Sequence, residues 1–154
     1  MHRIPVRQIM TEAVITIGPQ ALVADAAEVL EEYDLRRLPV VDDEGYLVGI
    51  VTDSDVAQAE AAQAAQHSYE PGVQEKWLSV AEIMTRDVAT IDLEATVGEL
   101  ATVLSERKVG GVPVVARHEH KPARERVVGI VTETDIFRMI ADAWRAEISR
   151  RGID

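Results

Sequence analysis

Cysteine is absent from the 154 residues, which excludes disulfides, thiolate-bound metals and cysteine nucleophiles. Aromatic residues make up only 4% of the chain, too few for the stacking platforms that hold single-stranded nucleic acid. Basic side chains are outnumbered 16 to 27 by acidic ones, and the resulting net charge of −11 repels phosphate backbones. No apolar run approaches the roughly 20 residues that cross a bilayer. The opening Met1-His2-Arg3-Ile4-Pro5 also lacks the apolar stretch of a secretory signal, so a cytoplasmic location is expected. Familiar catalytic motifs are missing too: there is no Gly-x-x-x-x-Gly-Lys-Ser/Thr loop, His-Glu-x-x-His or Gly-x-Ser-x-Gly. The four histidines, at 2, 67, 118 and 120, fall outside the repeated blocks described next, and no enzyme is expected. The remaining composition, 47% apolar and 28% charged, is that of an ordinary globular chain.

The chain contains itself twice. Val6-Arg-Gln-Ile-Met-Thr11 returns as Val80-Ala-Glu-Ile-Met-Thr85, and Leu38-Pro-Val-Val41 as Val112-Pro-Val-Val115, both at an offset of 74. Val48-Gly-Ile-Val-Thr-Asp-Ser-Asp55 returns as Val128-Gly-Ile-Val-Thr-Glu-Thr-Asp135 at an offset of 80, so six residues are inserted in the second copy. Residues 6–41 and 80–115 share 16 identities in 36 positions, far beyond in-register coincidence. Each copy predicts the same order of elements. Thr16-Ile17 and Thr90-Ile91 are short β-prone stretches, followed by helices over Val23–Tyr33 and Val97–Arg107 with apolar residues at helical spacing. Thr96-Val-Gly-Glu99 reads as a capping box. Strands begin at Pro39 and Pro113, and Asp42-Asp-Glu-Gly45 turns into a second strand over Tyr46–Thr52. In the second copy a longer, more basic loop is expected over Arg117–Arg126. Final helices run from Asp53 to about Gln66 and from Glu133 to about Arg150, the first broken by Ser68-Tyr-Glu-Pro-Gly72. The fold class is α+β: strand, helix, strand, strand, helix, twice, the copies packed sheet to sheet with pseudo-twofold symmetry. The expected boundaries are repeat 1 at 4–66, a linker at 67–78, repeat 2 at 79–140 and a helical extension at 141–154.

These residues resemble a tandem pair of cystathionine-beta-synthase (CBS) domains, a Bateman module. The resemblance covers roughly residues 4 to 140 and rests on Ile-Met-Thr, aliphatic-Pro-Val-Val and Gly-Ile-Val-Thr-x-x-Asp, in order and twice. It implies a regulatory, energy-sensing module without catalysis. The implied ligand is an adenine nucleotide (AMP, ADP or ATP), sometimes S-adenosylmethionine, held between the repeats; no catalytic cofactor or metal is implied. The Thr of each motif would bind phosphate and the Asp the ribose hydroxyls. One site would join Thr132, Thr134 and Asp135 to Thr11, Val14, Ile15, Leu35, Arg36 and Arg37. The other would join Thr52, Ser54 and Asp55 to Thr85, Val88, Ala89, Val109, Gly110 and Gly111. A homodimer and an unidentified regulated protein are the implied partners, with neither nucleic acid nor membrane.

The residues support this chemistry independently. Thr-x-x-Asp at a strand-to-helix junction sets a hydroxyl and N–H donors at a helix N-terminus, an anion site, and adds a carboxylate suited to a ribose diol. Arg36 and Arg37 would add fixed positive charge that Gly110 and Gly111 lack, so the Thr132/Asp135 site should take the more phosphorylated ligand. Plainer readings compete. Both Thr-x-x-Asp motifs are ordinary capping boxes, and Arg36-Arg37 can be a solvated turn. His118-Glu119-His120 reads as surface before metal site. Met10 and Met84 read as core fillers at helix starts, Trp77 as an anchor for the linker, and Trp144 and Ile148 as a dimer contact. The alternative function is a ligand-free interaction or dimerisation module; a metal sensor built on His118 and His120 is a third.

Overall fold

The computed structural model describes residues 1–69, 77–118 and 121–152. The chain forms two compact units, residues 15–88 and residues 1–14 with 89–154, each a mixture of helix and strand. The units therefore do not follow the sequence repeats: the first segment of each repeat lies in the unit built on the other repeat.

In the 15–88 unit, helix α1 (Val23–Glu32) precedes the antiparallel hairpin of β1 (Arg37–Val41) and β2 (Leu47–Thr52), and helix α2 (Asp53–Tyr69) follows. Short helix α3 (Val80–Ile83) completes the unit. Val23, Ala26 and Leu30 on one face of α1 join Leu38, Val40, Val51, Val56 and Val80 in a continuous apolar core. Thr16-Ile17 is reduced from the expected strand to a single parallel bridge between Ile17 and Val40. The turn at Asp42 is closed by its own carboxylate, whose Oδ1 accepts from Glu44 N–H and Tyr46 N–H, both at 3.0 Å. Gly45 there has φ 87°, a conformation glycine adopts without a Cβ penalty.

The other unit is built alike. A 3₁₀ turn over Val6–Gln8 leads to β3 (Ile91–Asp92), α4 (Val97–Arg107), β4 (Gly111–His118), β5 (Lys121–Thr132) and α5 (Glu133–Arg150), with sheet order β3-β4-β5. Its core gathers Val6, Ile91, Leu100, Leu104, Val112, Val114 and Val131. Of the expected loop at 117–126, the described residues 117–118 and 121–126 are instead strand. Arg117 pairs with Glu125 and His118 with Lys121, so the inserted residues lengthen the hairpin. Extending an existing ladder satisfies backbone groups that a loop would leave to water.

The prolines are the third residues of their strands rather than the first. Pro39 faces Ile50, whose N–H and C=O both point away from β1 to Thr85. Pro113 faces Ile130, which bonds in the same way to Thr11. The missing proline N–H is therefore aimed away from the hairpin, and no bond between its two strands is lost.

The exchanged segments complete the backbone accounting. Val97 and Gly98, at the start of α4, donate to the carbonyls of Ile4 and His2, each at 2.8 Å, and Glu99 N–H donates to Thr96 Oγ1 at 3.3 Å. Those are donors that a helix start leaves without an internal partner. In the 15–88 unit, Val23 N–H donates to Leu78 at 2.9 Å in the same manner. Trp77, expected to anchor the linker, is 71% exposed, and residues 70–76 lie outside the described residues. No helix among the described residues is long and apolar enough to cross a membrane.

Candidate functional site

Each Thr-x-x-Asp motif sits where the last strand of a hairpin passes into a helix. In the 15–88 unit, Thr52 ends β2. Its N–H donates to Asp55 Oδ2 at 2.9 Å, while Asp55 N–H donates to Thr52 Oγ1 at 3.1 Å. In the other unit, Thr132 N–H and the Thr132 hydroxyl both donate to Asp135 Oδ2, at 2.8 and 3.2 Å. The capping-box reading is thus correct at both places. It occupies one carboxylate oxygen, Oδ2, in each. Asp135 Oδ1 lies 3.5 Å from Arg138 Nη1, a pair with an exposed arginine that solvent weakens. A capped aspartate can therefore still present its second oxygen to a ligand hydroxyl.

The Ile-Met-Thr segments are fastened beside these loops. Thr85 and Ile50 exchange two backbone hydrogen bonds of 2.9 Å, two residues before Thr52 on β2. Thr11 and Ile130 do the same at 2.9 and 3.0 Å, two residues before Thr132. Each unit therefore brings an exposed threonine of one repeat to the motif of the other: Thr85 with Thr52, Ser54 and Asp55, and Thr11 with Thr132, Thr134 and Asp135. Val88 closes its unit's chain segment behind Thr85, and Val14 does so behind Thr11; both are half-buried. Glycine in each Gly-Ile-Val-Thr block makes the approach possible. A Cβ on Gly49 would lie 2.5 Å from Met84 Sδ, and one on Gly129 would lie 2.6 Å from Met10 Sδ. Met10 and Met84 follow short helical turns instead of starting helices, and they fill these notches.

The residues preceding each proline have a role that side-chain reasoning missed. The Arg36 carbonyl accepts from Asp53 N–H, and the Gly110 carbonyl from Glu133 N–H, both at 2.9 Å. Each loop is thereby tied to its own repeat's strand, as the pairings Arg37–Thr52 and Gly111–Thr132 require. The hairpin register is the signal that could have shown it. Ile15, Leu35, Arg36 and Arg37 belong to the 15–88 unit with Thr52, and Ile15 and Leu35 pack against its core. Ala89, Val109, Gly110 and Gly111 belong to the unit of Thr132, where Ala89 packs against the core and Val109 is partly exposed.

The two loops differ at one donor. Asp53 Oδ1 accepts from Ser54 N–H at 2.8 Å, closing the first turn of α2. The longer Glu133 side chain makes no such bond to Thr134, so this N–H at the start of α5 is not covered by its neighbour's carboxylate. Asp55→Ala should remove a capping interaction and cost about 1 kcal/mol. Scanning calorimetry should then show a midpoint roughly 2 to 4 °C lower.

With this geometry in view, comparison with known proteins is decisive. The sequence profile of the CBS domain matches residues 6–62 and 80–142. The chain belongs to the CBS-domain family. The crystal structure of the CBS domain pair of protein MJ0100, in complex with 5′-methylthioadenosine and S-adenosyl-L-methionine, is 34% identical with a TM-score of 0.71. That match covers 90% of this chain and 97% of the other. The structure of CBSX2 in complex with AMP is 26% identical with a TM-score of 0.72, covering 91% and 98%. Among curated proteins, the L-aspartate semialdehyde sulfurtransferase of Methanocaldococcus jannaschii is 34% identical over 134 residues, 87% of this CBS chain. The chain spans 23% of that enzyme's length. His118 is a strand residue, whereas Glu119 and His120 of the surmised metal loop lie outside the described residues.

Proposed function

We propose that this CBS pair is a regulatory module, without catalysis of its own, that binds an adenosine-containing ligand at its Thr-x-x-Asp loops and signals to a partner protein. The observation that carries the reading is the half-used carboxylate. Asp55 and Asp135 each commit Oδ2 to the cap, which pins the side chain in one rotamer and leaves Oδ1 to accept a ribose hydroxyl. Thr132, Thr134 and Asp135, with Thr11 and Val14, form the core of one site. Thr52, Ser54 and Asp55, with Thr85 and Val88, form the core of the other.

The Thr134 N–H, uncovered at the start of α5, supports the expectation that the Thr132 site takes the more phosphorylated ligand, AMP, ADP or ATP. At the Thr52 site, Asp53 already occupies the matching donor and adds negative charge, which favours a less anionic adenosine derivative such as S-adenosylmethionine. The binding of AMP, 5′-methylthioadenosine and S-adenosyl-L-methionine by structural relatives is in keeping with both ligand classes. Output follows from differential affinity: a ligand that binds one arrangement of the chain more tightly shifts the population the partner meets.

The test is thermal unfolding of nucleotide-free protein with AMP, ADP, ATP, S-adenosylmethionine and 5′-methylthioadenosine. A ligand at 100 times its Kd stabilises by about 2.7 kcal/mol. That is expected to raise the midpoint by roughly 5 to 10 °C. The 2′- and 3′-deoxy analogues should lose most of this shift, and Asp135→Ala should abolish the response to nucleotide. Because Asp135→Ala also removes a cap, the analogues on the unmodified chain are the control that folding cannot confound. No shift with any ligand would favour the ligand-free interaction module instead.

A further inference from the structure

We propose that Met10 and Met84 are sites of reversible oxidation by peroxides, and that sulfoxide at either position unfastens its Ile-Met-Thr segment from the strand of the other repeat. With no cysteine to react first, the four methionines are the only sulfur in the chain. Among the described residues, Met10 and Met84 are the only methionines packed against either core, and each lies against a glycine. Their sulfurs stand 2.6 and 2.5 Å from where a Cβ on Gly129 and Gly49 would lie, so each thioether fills the space an ordinary residue would need. Both methionines are half-buried and the threonine after each is exposed, so the seam between segment and strand reaches solvent. The device occurs twice, once in each unit.

The chemistry needs only a hydroperoxide. A sulfur lone pair attacks the outer peroxide oxygen, an S–O bond forms and the O–O bond breaks. The proton of the transferred oxygen passes to the departing one, which leaves as water when the oxidant is hydrogen peroxide; sulfur loses two electrons and peroxide gains them. The product does not suit the notch. Its new oxygen is a hydrogen-bond acceptor on a sulfur that already has backbone against it. At Met10 the Thr11 carbonyl, 3.2 Å from the same Cβ position, is another acceptor, and the N–H groups of Thr11 and Ile130 are spent on each other's carbonyls. At Met84 the Thr85 carbonyl, at 3.1 Å, and the Thr85–Ile50 bond pair repeat the arrangement. A polar atom held there without a donor is unfavourable, so the oxidised side chain must leave the notch. In leaving it pulls on the adjoining threonine, whose two backbone bonds fasten the segment. A dithiol reverses the step: it becomes a disulfide, the oxygen departs as water and the thioether returns. Where the loops bind a ligand as proposed above, release of Thr11 or Thr85 also lowers its affinity; that consequence alone rests on the ligand reading.

Nucleotide-free protein is treated with graded hydrogen peroxide. Sulfoxide at each methionine is quantified by peptide mapping, alongside hydrogen exchange read by mass spectrometry. Met1, 56% exposed, is expected to oxidise first without altering exchange. As Met10 and Met84 oxidise, peptides containing Thr11, Ile130, Thr85 and Ile50 should exchange roughly tenfold faster. Incubation with both classes of methionine sulfoxide reductase and dithiothreitol should restore the original exchange. In Met10→Leu/Met84→Leu, a swap that keeps core volume, Met1 and Met139 still oxidise but exchange in those peptides should not change. The comparison on the unsubstituted chain does not depend on how that variant folds. Met10 and Met84 surviving as thioethers after Met1 and Met139 are fully oxidised would overturn the proposal. So would their oxidation without faster exchange in those peptides, or with general unfolding seen by circular dichroism. No ligand enters these readouts, so failure here leaves the ligand reading untouched.

Discussion

Leu100→Ala is expected to loosen residues 1–14 together with residues 89–152, while leaving residues 15–69 nearly as protected as before. Leu100 is fully buried on α4 and packs in the core that contains Val6. Truncating a core leucine leaves a cavity as well as losing its transfer free energy, and here the cost should be about 3 to 4 kcal/mol. Hydrogen exchange read by mass spectrometry would register this as opening on the order of 100-fold more often in the affected unit. The N-terminal segment is distant in sequence, but Val6 N–H bonds to Ala95 at 2.8 Å and Thr11 to Ile130, so it should respond with α4 and β5. The reciprocal variant, Leu38→Ala, removes a fully buried side chain from the other core and should expose residues 15–69 and 77–88. If Leu100→Ala instead raised exchange in residues 15–41 and spared residues 1–14, the two units would have to be redrawn along the sequence repeats.

Gly129→Val should be nearly as damaging, although it adds atoms. The glycine has no positive φ, so its backbone would accept a side chain; the space would not. A Cβ there would stand 2.6 Å from Met10 Sδ, 3.2 Å from Met10 Cγ and 3.2 Å from the Thr11 carbonyl. The methionine can swing aside, but the carbonyl is held by the bond pair with Ile130. Overpacking of this kind costs about 1 to 3 kcal/mol, and valine should lie at the upper end. The midpoint should fall by roughly 6 to 12 °C in calorimetry. A double-mutant cycle isolates the cause. In a Met10→Ala background the additional cost of Gly129→Ala should shrink, giving a coupling of about 1 kcal/mol. Strict additivity would show that Met10 does not fill the notch. Gly49 and Met84 should behave in parallel, since the corresponding distance is 2.5 Å.

What the residues revealed on their own was local or periodic. Apolar spacing placed α1 and α4 to within a residue, since one helical face must be covered wherever the helix docks. Thr52/Asp55 and Thr132/Asp135 were legible as capping boxes because both partners lie three residues apart in one turn. The strand starts were less legible. Proline suggested a first position, yet Pro39 and Pro113 are third, tolerated because their missing N–H faces away from the hairpin. The 117–126 segment looked like a loop by composition, and its pairing could be known only once β4 and β5 were in register.

By itself, then, the sequence determined that one motif-bearing unit occurs twice, where its helices start, and which carboxylates cap them. Each of these depends on residues a few positions apart. It could not decide which Ile-Met-Thr segment lies beside which Thr-x-x-Asp loop. The two copies of each motif are so alike that local propensity is the same for either pairing, and the family resemblance alone suggested the exchange. The tertiary structure decides it through contacts far apart in the chain: Thr11 against Ile130, Thr85 against Ile50, and a methionine seated on a glycine in each.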